Sequence, residues 1–518
     1  MPNKAHDHVH RLVRSMTSTE KRYFKVHTGR HGQGTGQHEL FDAIAAMEVY
    51  DEAALLERFR DQAFSHHFAI TKRRLYASIL RCLEAYHADG SVDARLHGML
   101  RQVDLLHERA LYEDAAKLLQ GTRRLARQHD RRAILLALQD RERKLLEQGN
   151  YGKARLSDVE RLATGSAELL AEQAELDTLW DLKSRVFLLL YREGRARDMA
   201  MRAALDEALD HPLLDIATPL RSAHARFLRL HILGAAAFAL GDLNTCHAHL
   251  FANLELLRAE KEKFMDDPSL VIGVMSNLVH VCDSLGRTDE AGQLLQEFRT
   301  LPATWAMPET EDLETKLFIS TNSLELSLLM RSGEFGRALD LVPSIEKGLR
   351  RHAGRMGPVR RGAFLYQVAF AHFAAGHPDQ AVKWLHRLLN DVRIDESAEI
   401  VSFARLLDLL ALYEAGRTDL LAYALRNTER MLRARSRTHR FEPVYLELVR
   451  QLLKGGDGAT IDRAIGAFLG KVRALEGDPQ EHAAFDHLDP IAWAVARLEG
   501  RAFAEVVRER ARRVGRAA

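Results

Sequence analysis

Apolar residues recur at helical spacing along most of the chain. Around Gly376 they form two such runs, with Phe364, Leu365, Val368, Ala369 and Phe373 before the glycine and Ala381, Leu385, Leu388 and Leu389 after it. Residues three and four apart lie on one side of an α-helix, so each run predicts an amphipathic helix that buries one face. A similar pair of runs flanks Gly286. The pattern predicts pairs of helices separated by short turns.

A six-residue pattern, here called a joint, recurs between these runs. It begins with a small residue, continues with polar residues around an often aromatic or apolar third position, and usually ends with alanine. Its eight copies begin 39 to 47 residues apart, at Ala110, Gly149, Gly194, Gly241, Gly286, Gly333, Gly376 and Gly416. Glycine accepts the left-handed backbone that ends many helices, and acidic residues favour the start of the next one. The joints therefore predict eight helical hairpins in series, which is an α-solenoid.

The joint resembles that of tetratricopeptide (TPR) repeats, most clearly at residues 149–154 and 333–338. Its period departs from theirs, because TPR units repeat every 34 residues. The resemblance implies a TPR-like solenoid with elongated helices. Residues 12–25 and 485–493 also resemble the ends of a group of uncharacterised bacterial helical-repeat proteins, and that group implies no particular activity.

The two ends of the chain differ from the middle, which predicts three regions: residues 1–90, 91–440 and 441–518. In the first region we expect helices after Ser18 and near 38–48, 51–60 and 69–87, with a flexible loop at 29–36. In the last region we expect two helices around the glycines at 455–458, then a segment bearing Trp493 and a basic tail. Both end regions are interpreted as caps of a solenoid. A winged-helix-like DNA-binding unit is the alternative for residues 1–90.

Composition narrows the class of protein. Apolar residues make up 46% and charged residues 28% of the chain, which excludes an intrinsically disordered protein. The net charge of +2 argues against a uniformly basic nucleic-acid binder. The three cysteines form no CxxC pair, and the longest apolar run, 232–240, is too short to cross a membrane. We therefore expect a cytoplasmic protein with no membrane association.

Motifs that carry chemistry are absent from the sequence. The glycine-rich stretch at 29–36 has no Lys-Ser/Thr after it, so it does not match a phosphate-binding loop. Cys246, His247 and His249 lie close together at the start of one helix, but no further metal ligand is evident near them. We predict no catalytic residues, no metal site and no cofactor.

Two sets of residues are candidates for binding. If the first helix of each hairpin lines a concave face, as in TPR arrays, the exposed positions on that face include His231, Ser276, His280, Asp283, Ser323, Ser327, Arg331 and Tyr366. Basic clusters are candidates for polyanion binding, although solvated helix faces are the favoured explanation of such clusters; the candidates are Lys72, Arg73, Arg74, Arg350, Arg351, Arg433 and Arg435.

Three hypotheses about function follow. The leading one is a non-enzymatic scaffold that binds a protein or peptide partner on the concave surface of the solenoid. The second is a regulator whose first 90 residues bind DNA while the solenoid senses a ligand. The third is an enzyme with its site in the superhelical groove.

Overall fold

The computed structural model describes residues 7–30, 35–148, 150–152, 154–193, 199–391, 399–433, 439–476, 478, 481, 485 and 487–517. Every regular element within these residues is a helix, which confirms the predicted all-α class. The chain divides into two compact units, Met1–Ala171 and Glu172–Ala518. The predicted borders near residues 90 and 440 remain predictions.

Among its described residues, the first unit contains eight complete α-helices, the first part of a ninth and one short 3₁₀ helix at Ser65–His67. The α-helices are α1 (His8–Ser15), α2 (Ser18–Arg30), α3 (Thr35–Ala46), α4 (Glu52–Arg58), α5 (Phe68–Tyr86), α6 (Val92–Glu108), α7 (Tyr112–Gln128) and α8 (Arg132–Gln148). The expected helices of the first 90 residues are all present. Half of the stretch expected as a flexible loop, residues 31–34, lies outside the described residues, and its other residues belong to the ends of α2 and α3.

Two cores stabilise this unit. Val9, Phe24, Phe41 and Leu75 pack together in the core of α1–α5. The core of α6–α8 is built around residues such as Leu96 and Leu138.

A single helix of 38 residues, α9 (Leu156–Glu193), follows α8. Eight hairpins in series require two helices between the second and third joints, so this part of the prediction is wrong. The physical reason is that residues 156–193 contain no proline and only one glycine, Gly165, which is accommodated inside the helix. The third joint at 194–198, which would follow α9, lies outside the described residues.

The second unit continues with helices that mostly pack against their neighbours in sequence. They are α10 (Met199–Leu209), α11 (Ala223–Leu240), α12 (Leu243–Ala259), α13 (Lys261–Phe264), α14 (Pro268–Ser284), α15 (Thr288–Thr304), α16 (Glu311–Arg331), α17 (Phe335–Asp340), α18 (Val342–Arg351), α19 (Pro358–Ala374), α20 (Pro378–Leu389), α21 (Glu399–Glu414), α22 (Thr418–Arg433), α23 (Phe441–Lys454), α24 (Gly458–Arg473), α25 (Pro490–Glu499) and α26 (Phe503–Ala517), with a 3₁₀ helix at Pro212–Leu214.

The joints have the backbone conformation that the sequence predicts. Positive φ angles occur at the first residue of the described copies, from 60° at Ala110 to 84° at Gly241. At each of them an amide donates a hydrogen bond to the carbonyl five residues earlier, as from Arg287 N to Cys282 O at 2.9 Å. This bond closes the end of the preceding helix. Gly149 lies outside the described residues, and the left-handed residues beside it are Asn150 and Tyr151.

The C-terminal segment packs back onto earlier helices of the second unit. The indole nitrogen of Trp493 donates to Glu414 Oε1 of α21 at 3.1 Å. Phe503 of α26 contacts the rings of Phe335 and Phe370. This return covers part of the surface of α16, α19 and α21.

Candidate functional site

The predicted partner-binding residues lie on the first helices of successive hairpins in the second unit. His231 is on α11; Ser276, His280 and Asp283 are on α14; Ser323, Ser327 and Arg331 are on α16; and Tyr366 is on α19. The structure brings some of them into contact and separates others.

Three of these residues form one polar network between α14 and α16. Arg331 Nε lies 3.1 Å from Asp283 Oδ2, and the Ser327 hydroxyl donates to the same oxygen at 3.4 Å. Ser327 and Arg331 share a face because they are four residues apart on one helix. The Asp283 carboxylate is largely covered, whereas the Arg331 side chain is 44% exposed. The network therefore fixes an exposed guanidinium on this face.

A second polar contact joins α16 to α19. The Ser323 hydroxyl donates to Gln367 Oε1 at 3.3 Å, and Gln367 Nε2 donates to the Ser323 carbonyl at 3.4 Å. Polar side chains thus connect consecutive first helices at two places. We call the surface formed by His280, Asp283, Ser323, Ser327 and Arg331 the first-helix face.

The two histidines of the predicted set differ in their surroundings. The His231 ring stacks against Phe187 and Phe227, with centroid distances of 4.9 and 5.6 Å. Burial, helped by the charge of Lys183, lowers the pKa of His231 to about 4, so the ring is neutral at pH 7. His280 is exposed, and its ring lies 6.2 Å from that of Phe238. Of the two, only His280 presents its ring to solvent.

Tyr366 was expected to be exposed, and that expectation is wrong. Its side chain is 3% exposed, and its hydroxyl donates to the His487 carbonyl at 2.8 Å. The physical reason is the returning C-terminal segment, which covers α19 at this position. Ser276 is also partly buried, and its hydroxyl has no hydrogen-bond partner among the described residues.

The predicted polyanion-binding residues do not form one patch. The Lys72 ammonium contacts Asp7 Oδ2 and Glu52 Oε2 at 2.6 Å each and the Tyr50 hydroxyl at 2.7 Å, so its charge is used inside the first unit. Arg73 and Arg74, beside it on α5, are exposed.

The remaining members of that set lie in the second unit. Arg350 is exposed at the end of α18, and Arg351 next to it pairs with Glu314 at 2.6 Å. Arg433 is exposed at the end of α22, and Arg435 lies outside the described residues.

An open cavity of about 590 Å³ lies between α9 and α10 in the second unit. Its lining includes Asp181, Arg185, Glu207, Asp210 and His211. Arg185 is the arginine that lines this cavity, and its Nε already pairs with Asp181 Oδ2 at 2.8 Å.

A cluster that the sequence did not reveal lies near the joint at Gly286. His247 of α12, Cys282 of α14 and Glu290 of α15 approach so closely that one potential ligand atom from each lies within 4.8 Å of the others. His247 Nε2 is 2.7 Å from Glu290 Oε1. Each residue comes from a different helix, so the local spacing that drew attention to His247 pointed to Cys246 and His249 and not to Cys282 or Glu290. In the sequence, all three residues lie within a few positions of a joint, and this shared location is the one signal that could have pointed to the cluster.

The surroundings of this cluster are the Arg287 side chain, the Phe251 ring and the apolar core around Cys282. Arg287 Nη1 lies 3.2 and 3.3 Å from the two ring nitrogens of His247, and Nη2 lies 3.2 Å from Asn244 Oδ1. Phe251 stacks on the His247 ring, one helical turn away. Cys282 is completely buried within the apolar core of α11–α16. Burial, followed by the nearby Glu290 carboxylate, raises the pKa of the Cys282 thiol to about 12.

Comparison with known proteins adds no family. No protein-family model matches the sequence. Nor does any curated protein match it. The helices and their consecutive packing are compatible with a helical-repeat fold. Among the described helices, none combines the length and the apolar character that a bilayer crossing requires.

Proposed function

We propose that the second unit is a helical-repeat solenoid whose first-helix face binds a protein or peptide partner. The observation that carries this proposal is the polar network from α14 to α16, extended by the contact from α16 to α19. Side chains from consecutive hairpins meet at one surface there, so a partner that contacts one helix also contacts the next.

The chemistry of this face suits an extended peptide. Arg331 offers hydrogen-bond donors in a fixed orientation, since Asp283 holds its Nε, and a guanidinium can bind a carboxylate or a peptide carbonyl. His280 offers a flat, partly polar ring beside it on α14. Interfaces of this kind are enriched in arginine and aromatic groups, which supply much of the binding energy.

A quantitative affinity capture tests the proposal. Tagged full-length chain would be used as bait in an extract of its native cells, and bound proteins would be measured by mass spectrometry. The variant carries His280→Glu and Arg331→Ala. We expect at least one protein enriched by the wild-type chain to fall by about tenfold or more, which corresponds to about 1.4 kcal/mol of binding free energy.

The matched control carries Gln293→Glu and Lys347→Ala on the second helices α15 and α18. These residues are exposed and the substitutions change the net charge by the same amount. The control should capture the same proteins as the wild type. Equal recovery by the wild type, the variant and the control would reject the first-helix face as the binding surface.

Nucleic-acid binding by the first unit is the second candidate, and the exposure of neighbouring Arg73 and Arg74 on α5 favours it. Arg73→Ala with Arg74→Ala should weaken DNA binding and reduce its dependence on salt concentration. Lys72 is left unchanged in this test because it has an internal role. Binding that is absent, or that is independent of salt, would reject this function.

A further inference from the structure

We infer that His247, Cys282 and Glu290 form a binding site for Zn²⁺ at the joint between α14 and α15. This site is independent of the proposed partner-binding face. Its three donor groups are an imidazole nitrogen, a thiol sulfur and a carboxylate oxygen, a set that suits zinc better than magnesium or calcium.

The geometry needs only a small contraction. Zinc bonds of about 2.0 to 2.3 Å place the ligand atoms of a tetrahedral site about 3.3 to 3.8 Å apart. The three potential ligand atoms already lie within 4.8 Å of one another. The three ligand atoms therefore have to move about 1 Å closer together when the metal binds, which requires rotation of their side chains. A fourth position is left for water.

The contacts within the cluster point to the place of the cation. Glu290 Oε1 lies 2.7 Å from His247 Nε2, and Glu290 Oε2 lies 3.7 Å from Arg287 Nη1. In the metal-free protein, His247 and Arg287 therefore hold the carboxylate in place beside the Cys282 sulfur. On binding, Zn²⁺ takes the sulfur of Cys282 as a thiolate and the thiol proton is released to solvent, as metal binding by cysteine requires.

An entry path exists on the solvent side. The His247 side chain is 13% exposed and that of Glu290 is 33% exposed, while Cys282 forms the buried floor. Arg287 covers the opening, and its own side chain is 41% exposed. Its positive charge opposes a cation, so it must turn outward when the metal binds. If the cluster binds a metal, removing Arg287 should therefore tighten metal binding. If the cluster were only a structural polar network, removing Arg287 would weaken that network.

Titration of the metal-free full-length chain with Co²⁺ tests the site, since Co²⁺ substitutes for zinc and gives a near-ultraviolet charge-transfer band when a thiolate binds it. We expect one equivalent of Co²⁺ to produce this band and Zn²⁺ to abolish it by displacement. Excess Mg²⁺ should have no effect, because it prefers oxygen ligands.

Four variants decide the outcome. Cys282→Ser should abolish the band, and His247→Ala or Glu290→Gln should weaken Zn²⁺ binding by at least about tenfold. Arg287→Ala should tighten it by about tenfold, the effect of removing one unit charge about 5 Å from a divalent ion in a water-like medium. Circular dichroism of each metal-free variant checks that it folds.

Cys246→Ser is the matched control, since Cys246 is a second buried cysteine in the same core and is not one of the three ligands. The band should persist in this variant. Absence of the band in the wild type, or its persistence in Cys282→Ser, would overturn the site. Co²⁺ binding without a thiolate band would place the metal away from Cys282 and would likewise overturn the site.

Discussion

Lys72 has surroundings unlike those of a surface lysine, because three side chains contact its ammonium. Burial lowers the pKa of a lysine, but the hydrogen bonds that Lys72 donates to Asp7, Glu52 and Tyr50 outweigh this effect and raise its pKa. Burial likewise raises the pKa of Asp7, while the bonds from Lys72 and the backbone bring it below its usual value. The pair is charged and stabilising between about pH 4 and pH 10, and its contribution is lost at lower pH as Asp7 takes up a proton.

Replacing Lys72 by methionine should destabilise α1 and α5 by about 2 to 4 kcal/mol, since it leaves the Asp7 carboxylate buried without its partner. Hydrogen exchange of the full-length chain at pH 7 measures this in peptides covering these two helices. Arg73→Met, on the exposed side of the same helix, should change the free energy of opening by less than about 0.5 kcal/mol. Equal effects of the two substitutions would refute a buried role for Lys72.

Asp408 shows the opposite case, a buried acid whose charge is poorly compensated. Burial raises its pKa to about 6, and the neighbouring His386 and Arg405 offset this only in part. The folded state therefore binds a proton more tightly than the unfolded state, whose pKa is near 3.8. By linkage, stability falls as the pH rises from about 4 to about 6 and then stays lower.

Asp408→Asn should accordingly stabilise the second unit by about 1 to 3 kcal/mol at pH 8 and have little effect at pH 4. Urea unfolding followed by tryptophan fluorescence reports on this unit, because all four tryptophans of the chain lie in it. The exposed Asp462→Asn serves as the control and should have a small effect at both pH values. A stabilisation of Asp408→Asn that is independent of pH would contradict this explanation.

Among the elements, the joints are the part of the fold that the sequence predicted best. Glycine at a helix end has a local physical reason, which one sequence reveals. Left-handed residues also end helices at Asp130, Ala306 and Gly500, where the six-residue pattern of the joints does not occur, so the sequence did not reveal these turns. The single helix α9 was missed for another reason, since a repeat period predicts where helices end only if every repeat has a joint.

Substitutions at three joints should distinguish the stability cost of left-handed backbone strain from the cost of close packing. Gly376→Ala should cost about 1 to 2 kcal/mol, because its φ of 81° disfavours a side chain but the space around it is open. Gly333→Ala should cost about 1 to 3 kcal/mol more, since its added carbon would lie 2.8 Å from Ala504 O and from Arg508 Cγ. Ala110→Gly should stabilise by up to about 1 kcal/mol, as it relieves the same strain.

Hydrogen exchange of the helices on either side of each joint measures these costs. Gly333→Ala should also increase exchange in α26, which packs on it, whereas Gly376→Ala should leave α26 unchanged. Equal costs at Gly333 and Gly376 would show that close packing at Gly333 contributes nothing.

For the molecule as a whole, contacts between residues far apart in sequence are what the sequence could not predict. The His247–Cys282–Glu290 cluster depends on the rotation of three helices about their axes, and an error of one residue in any of them separates the ligands. The covering of Tyr366 by His487 depends on the packing of the C-terminal segment against α19. Nothing in the sequence of residues 485–493 indicates that packing. Helix positions follow from short-range patterns, whereas these contacts follow from packing.

If the second unit is a solenoid, damage at one end should remain local, because each repeat contacts only its neighbours. Trp493→Ala removes a buried indole and its bond to Glu414, at a cost of about 3 to 5 kcal/mol. Hydrogen exchange should rise in α21, α24 and α26 and stay unchanged in α11, α12 and α14. Trp180→Ala, at a side chain that is 61% exposed, is the control and should change little. An increase spread over all helices of the unit would argue for one cooperative globular domain instead.

The bond between Tyr366 and His487 also has a consequence for synthesis on the ribosome. Its two residues are 121 positions apart, so α19 leaves the ribosome long before the segment that covers it has been made. At about 5 to 20 residues per second, the delay is about 6 to 25 s. During that interval the aromatic side chains of α19 and α21 contact water, chaperones or other nascent chains. The burial of Tyr366 is therefore completed only after the segment around His487 has been made.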